Sequence, residues 1–405
     1  MKYSAQEVIQ YVNEEDVKFI RLAFCDIYGR QKNISIMPGE LPRAFTYGIA
    51  IDASAINGFG DETHSDFLLH PDSSTLAVLP WRPEHGRVVR LFCSISYPDG
   101  RPFECDTRSL LKRAINDAKK AGVSFSFGAE MEFYLFKLDE NGKRTLIPYD
   151  EAGYMDIAPE DKGENVRREI CLTLEQMGIC PESSHHEEGP GQNEIDFRYS
   201  DALSAADNAM TFQTVVKTTA QRNGLWADFS PKPLPDKPGN GFHINMSAKN
   251  AVGDDLLPHL IAGILDKTSD MTAFLNPSRE SYDRFGSHKA PVYISWSCEN
   301  RSQLVRVPAA VGEYRRAELR SPDPSANPYL AFALLIRAGL YGIEHQMMPP
   351  DAVNLNLYTA DADTLKHLKK LPASLEESIQ VMTESPFIRE HLPAAIIDIY
   401  SRKHI

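Results

Sequence analysis

The chain contains few cysteines and none of the short motifs that mark several common enzyme classes. Its six cysteines are scattered without CxxC spacing, a pattern that indicates reduced, mostly buried thiols and a cytoplasmic protein. The sequence has no GxxxxGK[ST] phosphate loop, no protein-kinase loop set, no GxSxG elbow and no GxGxxG dinucleotide motif. A bound nucleotide would therefore be held by metals and arginines rather than by a glycine-rich loop.

Long apolar runs are also missing. The most apolar stretch, residues 329–343, is interrupted by Arg337 and is too short to span a bilayer. The first 19 residues contain no apolar segment of the kind found in secretory signals, so no signal peptide is expected. The net charge of −13 argues against nucleic acid and anionic membranes as partners. Small molecules are the expected partners.

Hydrophobic periodicity predicts an α+β protein with a small first domain and a larger second one. At 405 residues, two or three domains are expected. Residues 97–108 contain two prolines and one glycine and form the best linker, so we predict domains at 1–100 and 101–405. Helices are predicted at 4–14, 161–178, 201–223, 252–275, 326–345 and 363–383. Strands are predicted at 17–30, 75–80, 87–96, 123–136, 191–198, 242–247, 291–297, 303–307 and 316–320.

Side chains that favour hard divalent cations lie in four short segments marked by glycine. They are Glu130, Glu132, Glu187, Glu194, His243 and Glu318. Glu130 and Glu132 are two residues apart in an alternating stretch, so both side chains lie on one strand face. Parallel carboxylates repel each other unless a cation or proton lies between them. The oxygen-rich set predicts Mg²⁺ or Mn²⁺ with nucleotide phosphates, and hence phosphoryl transfer; the alternative is a solvated strand face.

Two further groups have competing interpretations. Arginines cluster between residues 284 and 320 among apolar residues, which indicates partly buried guanidinium groups that need anionic partners. The alternative is a charged surface. Histidine on a strand, as at His243, is usually a buried structural residue, and the preceding PKPLPDKPGNG loop favours a ligand-facing position instead. The adjacent pair His185 and His186 is interpreted as surface polar residues.

The segments GAEMEFYLF, HHEEGPGQNEIDF, PKPLPDKPGNGFHINMS, APVYISWSCENRSQLVRVP and RRAELRSPDPSANPYLAFALLIRAGLYGI resemble, in order and spacing, the signature segments of the bacterial type I glutamine synthetase family. IDASAING with HSDFLLHPD resembles that family's N-terminal β-grasp segment. The resemblance implies a β-grasp-like domain followed by a large catalytic domain with an antiparallel sheet and flanking helices. It also implies ATP as co-substrate, Mg²⁺ or Mn²⁺ as cofactor, and a homododecamer of two stacked hexamers.

The implied reaction is phosphorylation of the γ-carboxylate of glutamate by ATP, followed by displacement of phosphate by an amine. The resemblance assigns one metal site to Glu132, Glu187 and Glu194, and the other to Glu130, His243 and Glu318. It assigns the amino-acid substrate to Gly239, Arg284 and Arg320, and the nucleotide to Glu182, Asn245, Ser247, Arg306 and Arg316. It places Arg301 and Arg306 on the transferring phosphate, and Asp52 at the ammonium site of a neighbouring subunit.

One departure from the family bears on the acceptor. The family carries a flap glutamate that helps deprotonate ammonium, but YDRFGSHKAP is one residue shorter and has Lys289 there. Lysine repels ammonium unless its pKa is depressed, and His288 could serve instead as a neutral base. Pro238 replaces an asparagine that contacts the amino acid. Three hypotheses follow: a ligase for an amine other than ammonia, an ordinary glutamine synthetase with a variant flap, and a non-catalytic scaffold.

Overall fold

The computed structural model describes residues 3–82, 85–287 and 289–402. The chain divides into two compact units, Met1–Leu110 with Leu172–Ile179, and Leu111–Cys171 with Cys180–Ile405. The domain boundary predicted after residue 100 stays a prediction. No helix in the described part of the chain is long and apolar enough to cross a membrane.

The first unit is a small mixed sheet with two helices, as expected for a β-grasp domain. Ser4 caps the first helix in a capping box with Glu7. In the sheet, β1 and β6 are parallel and the other pairs are antiparallel, in the order β2-β1-β6-β4-β3 with β5 beside β6. The elements are α1 (Ala5–Glu14), β1 (Val17–Cys25), β2 (Gln31–Ile36), α2 (Leu41–Tyr47), β3 (Ile49–Asp52), β4 (Asp66–Pro71), β5 (Ala77–Val78) and β6 (Arg87–Ser96).

The rest of the chain forms a larger sheet with flanking helices, and the predicted α+β class is confirmed. The elements up to the sheet centre are α3 (Thr107–Lys120), β7 (Val123–Leu138), β8 (Arg144–Pro148), α4 (Glu164–Gln176), β9 (Pro181–His186), β10 (Gln192–Phe197), β11 (Ser200–Asp201), α5 (Ala202–Arg222), β12 (Leu225–Asp228) and β13 (Phe242–Asn250). The remaining elements are α6 (Leu257–Leu275), α7 (Arg279–Tyr282), β14 (Trp296–Cys298), β15 (Val305–Val307), β16 (Ala317–Leu319), α8 (Pro328–Glu344), α9 (Ala362–Leu365), α10 (Leu375–Glu384), α11 (Pro386–His391) and α12 (Ala394–Ser401).

Strand β7 is the central strand of this sheet. The order is β14-β15-β16-β13-β7-β10-β9, and the short strands β8, β11 and β12 also pair with β7. Every pair is antiparallel except β14 with β15. Because β7 is paired along both edges, its backbone is fixed on either side of the residues that it presents.

The alternation of β7 separates a packed face from a polar one. Its odd-numbered residues from Phe125 to Leu135 are buried. Phe127 stacks on Phe332 of α8 with ring centroids 4.5 Å apart, and Phe133 meets Phe212 of α5 at 6.1 Å. Burying an aromatic side chain of this size stabilises the fold by roughly 1.5–3 kcal/mol. This packing turns the even-numbered residues away from the helices.

Helices α6 and α8 cross at a contact that only glycine allows. A Cβ atom on Gly263 would lie 2.1 Å from the carbonyl oxygen of Ala338, much closer than two non-bonded atoms can approach. The two backbones therefore pack directly against each other, and α8 in turn lies against β7 through Phe332.

Several predicted elements are wrong in extent: the strand predicted over 75–80 is reduced to Ala77–Val78, and the helix predicted over 252–275 begins at Leu257. The helix predicted over 363–383 is two helices, Ala362–Leu365 and Leu375–Glu384. Pro372 cannot donate a backbone hydrogen bond, and Ser374 starts the second helix by accepting from the amide of Glu377. The strand predicted over 291–297 is reduced to Trp296–Cys298.

Candidate active site

Strand register brings the predicted metal ligands to one face of the sheet. Glu130 of β7 is directly opposite His243 of β13 and Asp196 of β10. Glu132 is opposite Glu194 of β10. Because directly opposed residues point to the same side of a sheet, these side chains converge. Glu318 of β16 joins them, since its register partner is Asn245 of β13, two residues from His243.

The first predicted ligand set is drawn together in space. Glu130, His243 and Glu318 each offer a ligand atom within 4.8 Å of the others. The Nδ1 atom of His243 lies 3.5 Å from Glu130 Oε2 and 3.8 Å from Glu318 Oε1. These are separations at which one cation could be coordinated by all three side chains.

The second predicted set, Glu132, Glu187 and Glu194, is arranged differently. Glu132 and Glu194 meet around His243, whereas Glu187 and Glu194 meet around His185. The Nδ1 atom of His185 lies 3.6 Å from Glu187 Oε1, and its Nε2 atom lies 3.6 Å from Glu194 Oε1. His185 is therefore a candidate ligand, and its interpretation as a surface residue is wrong. In the sequence, the only indication that His185 is a ligand is the presence of carboxylates in the segments HHEE and NEID.

Burial and mutual repulsion raise the pKa of several of these carboxyl groups, so that they ionise less readily without a cation. Burial and then the charge of Glu132 raise the pKa of Glu187 to about 8. Burial and the nearby charge of Asp196 raise the pKa of Glu194 well above its ordinary value. Burial and the charge of Glu130 raise the pKa of Asp196 to about 7. Divalent cations would relieve this repulsion, so the carboxylate and imidazole donors fit Mg²⁺ or Mn²⁺.

Glu318 differs from the other carboxylates because arginines surround it. Arg306 Nη1 donates to Glu318 Oε2 at 2.7 Å, and Arg320 donates to Glu318 Oε1. Burial alone would raise the pKa of Glu318, but the charges of Arg320, His243 and Arg306 outweigh it and lower the pKa to about 2. The Glu318 carboxylate is therefore ionised at every physiological pH.

Two buried arginines retain an unused donor in this region. Arg284 is 3% exposed and Arg320 is 2% exposed. Arg284 donates from Nη1 to the carbonyl of Ser321 at 3.1 Å. The Nε atoms of both arginines have no hydrogen-bond partner within the described part of the chain. Buried donors of this kind are normally satisfied, so both guanidinium groups are suited to an anionic ligand.

Gly239 lies directly against Arg284. A Cβ atom on Gly239 would be 2.4 Å from the carbonyl oxygen of Pro231 and 2.6 Å from Cγ of Arg284. No larger residue fits unless Arg284 moves, so the glycine fixes the position of that guanidinium group. Pro238 precedes it, and the Pro238 carbonyl accepts a hydrogen bond from Tyr134 Oη at 2.7 Å.

The converging groups line a cavity of about 340 Å³. Its wall contains five of the six predicted metal ligands, all except Glu318. The wall also includes Gly239, Arg284, Lys289, Arg301, Arg306, Arg316 and Arg320. Cationic and anionic side chains thus face the same space, which suits a polyanion bound through metals.

A smaller cavity of about 60 Å³ shares Glu130, Asp196 and Arg316 with the first. Glu182, Asn245, Ser247 and Arg316, all predicted to contact the nucleotide, line this smaller cavity. Arg306, also predicted to do so, lines the larger one. Tyr199 and Phe197 add aromatic surface. Their roles in nucleotide binding stay predictions.

Lys289 lies in the wall of the larger cavity, and its side chain is partly exposed. Its ammonium group forms an ion pair with Glu188 of the turn between β9 and β10 and lies 5.1 Å from the centre of the Tyr154 ring. Its backbone has a φ of 64°, in the left-handed region that non-glycine residues rarely adopt. His288, the alternative base, lies outside the described residues.

Asp52 ends strand β3 in the first unit. Its carboxylate is exposed and accepts from the backbone amide of Ser54 at 2.9 Å and from the Ser54 hydroxyl at 2.6 Å. These bonds lower the pKa of Asp52, so the carboxylate is charged at neutral pH. Its role at a neighbouring subunit's site stays a prediction.

The interpretation of His186 as a surface residue is wrong. The ring is fully buried, with Nε2 2.8 Å from Asp150 Oδ1 and Nδ1 2.7 Å from the carbonyl of Glu187. Both nitrogens face acceptors. Burial lowers the pKa of His186, but the bonds to Asp150 and Glu187 outweigh it and raise the pKa. The residue supports the backbone of Glu187.

Comparison with known proteins gives one consistent result. The model of the glutamine synthetase β-grasp domain matches residues 16–98, and that of the glutamine synthetase catalytic domain matches residues 104–404. The chain is 46% identical to the glutamine synthetase of Clostridium saccharobutylicum, covering 96% of this chain and 92% of that protein. It is 44% identical to the glutamine synthetase of Methanosarcina mazei, covering 98% and 92%.

Solved structures agree. The chain matches GmaS in complex with ADP at a TM-score of 0.88 and 28% identity, covering 100% of this chain and 95% of the other. It matches the Plasmodium falciparum glutamine synthetase, determined by cryo-electron microscopy, at a TM-score of 0.85 and 22% identity, covering 100% and 96%. The second match supports the fold alone.

Proposed function

The chain belongs to the glutamine synthetase family and is an ATP-dependent ligase that forms carbon–nitrogen bonds; on this premise we propose that it joins the γ-carboxylate of glutamate to an amine other than ammonia. The observation that carries the proposal is Lys289, which lines the cavity beside Glu132 and Glu187 and brings a positive charge to the place where the acceptor must approach.

The acid side of the cavity fits glutamate. The Nε atoms of Arg284 and Arg320, which have no hydrogen-bond partner among the described residues, suit the α-carboxylate, because guanidinium groups bind carboxylates through paired N–H donors. Gly239 lies directly against Arg284, so a side chain at position 239 would collide with it. The γ-carboxylate would then extend toward the carboxylate cluster. Glutamate has the two anionic groups that this arrangement requires.

The reaction proceeds in two displacements. An oxygen of the γ-carboxylate attacks the γ-phosphorus of ATP, ADP leaves, and a γ-glutamyl phosphate forms. The deprotonated amine then attacks the acyl carbon, the carbon–nitrogen bond forms, and phosphate leaves with the second amine proton. Arg301 and Arg306 line the cavity and offset the negative charge that accumulates.

The metals belong to the carboxylate cluster. We assign one to Glu130, His243 and Glu318, and the other to Glu132, Glu187 and Glu194, with His185 as a further candidate ligand. When bound, Mg²⁺ or Mn²⁺ supplies positive charge to phosphate oxygens. The nucleotide is assigned to Glu182, Asn245, Ser247, Arg306 and Arg316.

Electrostatics disfavour ammonium as the acceptor. Two unit charges about 4 Å apart interact by roughly 4 kcal/mol at an effective dielectric constant of 20, so Lys289 opposes an ammonium ion beside it, and the ion pair with Glu188 reduces that repulsion. A larger amine can gain about 0.8 kcal/mol for each buried methylene group. Tyr154 and Met155, both partly exposed and both in the cavity wall, offer apolar surface for that purpose.

Ordinary glutamine synthesis is the second candidate, and two observations favour it. The curated relatives at 44–46% identity are named glutamine synthetase. The ion pair with Glu188 also neutralises part of the charge of Lys289. The scaffold hypothesis has no such support, since both family domains are matched and the candidate ligands converge.

The assembly is proposed to be a cytoplasmic homo-oligomer of two stacked hexameric rings, with Asp52 contributed to the active site of a neighbouring subunit. The exposed, charged carboxylate of Asp52 at the end of β3 is consistent with that role. Its charge would attract the cationic form of the acceptor.

A phosphate-release assay with ATP, Mg²⁺ and glutamate tests the choice of acceptor. Ammonium is compared with a panel of primary amines in the wild type, in Lys289→Glu and in Lys289→Gln. Lys366→Gln is the matched control, since Lys366 is an exposed lysine that pairs with Asp363. We expect a low kcat/KM for ammonium in the wild type and a higher one in Lys289→Glu. If kcat/KM for ammonium is high in the wild type and unchanged by both Lys289 substitutions, the protein is instead an ordinary glutamine synthetase.

A further inference from the structure

Three side chains at one side of the larger cavity form a paired charge site, defined by Glu188, Lys289 and Tyr154. Glu188 comes from the turn after β9, and Lys289 comes from the segment between α7 and β14. Their carboxylate and ammonium groups are in contact, and the Tyr154 ring lies beside the ammonium group. All three residues line the cavity, so both charges face the space that the acceptor must enter.

This ion pair differs from the others at the site in how readily it can open. The Lys289 side chain is 41% exposed and that of Glu188 is 34% exposed. By contrast, Glu318 and Arg320 are each 2% exposed in their pair. A partly exposed ion pair contributes little net stability because water competes for both charges. Glu188 and Lys289 can therefore exchange each other for a ligand at low cost.

We propose, building on the function proposed above, that the acceptor is a primary amine that also carries an anionic group, such as the carboxylate of an amino acid. The anionic group pairs with Lys289, and the amine, before it loses its proton, pairs with Glu188. An acceptor with both charges replaces the internal ion pair completely and leaves no charge unpaired.

Other classes of amine match the paired charge site less well. A monoamine satisfies Glu188 but leaves Lys289 without a partner. A diamine brings a second positive charge toward Lys289, and like charges at short range repel. Tyr154 can cover a short methylene spacer in either case, so the difference between acceptors lies in their charge.

The chemistry at the acyl carbon is unchanged by this recognition. One amine proton is lost to solvent, the nitrogen attacks the γ-glutamyl phosphate, and the carbon–oxygen bond to phosphate breaks. The second amine proton leaves with the phosphate. Glu188 and Lys289 form and break no covalent bond, so they are specificity-determining residues for the acceptor.

Three amines of similar length test the proposal: β-alanine, propylamine and 1,3-diaminopropane. Each is assayed with ATP, Mg²⁺ and glutamate in the full-length wild type. Ammonium is assayed in parallel, and hydroxylamine, which traps the acyl phosphate as a hydroxamate, reports activation of glutamate. We expect kcat/KM for β-alanine to exceed that for propylamine by about tenfold, which corresponds to about 1.4 kcal/mol. The diamine is expected to be the poorest substrate.

Substitutions at Lys289 and Glu188 distinguish an effect on acceptor recognition from an effect on folding. Lys289→Gln keeps the chain length but removes the charge, so the ratio of β-alanine to propylamine should fall toward one, mainly through a higher KM for β-alanine. The exchange Glu188→Lys with Lys289→Glu restores both charges and should retain more of that ratio than either single change. Lys366→Gln should leave the ratio as in the wild type.

The possible results are distinct. Hydroxamate formation with poor ammonium use, but equal use of β-alanine and propylamine, would overturn the paired charge site and leave the proposed function standing. A ratio of β-alanine to propylamine use that is unchanged in Lys289→Gln would also overturn the paired charge site and leave the proposed function standing. Ammonium as the best acceptor, or no hydroxamate from glutamate, would remove both proposals. Preference for β-alanine that depends on the charge at position 289 would support both.

Discussion

Replacing Glu318 with glutamine should reduce stability as well as activity, because this carboxylate is the shared partner of two arginines. Arg306 and Arg320 both donate to it, and Arg320 is almost fully buried. A neutral amide leaves these guanidinium groups without the carboxylate that they share. Removing one partner of a buried ion pair typically costs about 3–5 kcal/mol.

The lowered pKa gives a second measure of the same contribution. The pKa of Glu318 falls from its ordinary 4.5 to about 2, and each pKa unit corresponds to about 1.4 kcal/mol, so ionised Glu318 contributes roughly 3 kcal/mol to folding. A carboxylate with a depressed pKa provides this stability above its unfolded pKa, and the stability is lost as the pH falls from 4.5 toward 2. Both routes give a similar magnitude.

The assay is denaturant unfolding of metal-free protein, followed by tryptophan fluorescence. Trp226 and Trp296 both lie in the larger unit, so they report on the fold around Glu318. At pH 7, Glu318→Gln should lower the free energy of unfolding by roughly 3 kcal/mol. The difference from wild type should shrink as the pH falls below 4.5, because Glu318 then becomes protonated in the unfolded wild-type chain while it stays ionised in the folded one, whose pKa is about 2.

Glu132→Gln is the matched control. Glu132 Oε2 accepts from the amide of Gly241 at 2.8 Å and from Gln192 at 3.1 Å, bonds that an amide oxygen can retain. Both variants should lose ATP-dependent phosphate release, but only Glu318→Gln should lose substantial stability. A Glu318→Gln protein as stable as the wild type at pH 7 would refute the assigned ion pairs.

Two further results are expected. Mixing inactive Asp52→Asn subunits with inactive Arg301→Ala subunits should restore part of the activity, because some sites in the mixed oligomer then receive both native residues; monomers fully active at high dilution would contradict this. Gly239→Ala should raise KM for glutamate by about tenfold or more while leaving KM for ATP nearly unchanged, since the added methyl group collides with Pro231 and Arg284 and a loss of about 1.4 kcal/mol is tenfold in affinity. Unaltered glutamate kinetics in Gly239→Ala would mean that this glycine does not shape the acid pocket.

Short-range patterns predicted much of the fold and of the candidate site. Period-two alternation around Glu130 and Glu132 predicted a strand with both carboxylates on one face, and β7 has that form. The alternating segment at His243 likewise predicted β13. Such patterns succeed because alternation is imposed by backbone geometry and a buried face, both of which act within a few residues.

Contacts between distant segments could not be predicted in the same way. His186 is buried because Asp150, 36 residues earlier, accepts from its ring, and nothing near HHEE in the sequence indicates that partner. The ion pair of Lys289 joins residues 101 positions apart. Considered alone, Lys289 suggests an unopposed positive charge, whereas its pairing with Glu188 offsets part of that charge.

Strand β7 is both the centre of the larger sheet and the strand that carries two of the candidate metal ligands. It is paired on both edges, buried against α5 and α8, and it presents Glu130 and Glu132. Opening the strand enough to displace these residues would require breaking both ladders, so their positions should be as durable as the fold itself. Glu188 and Lys289 sit on partly exposed connections outside those ladders. Under the role proposed for Glu188 and Lys289, substitutions at these two positions would change the acceptor while the carboxylates of β7 stay in place.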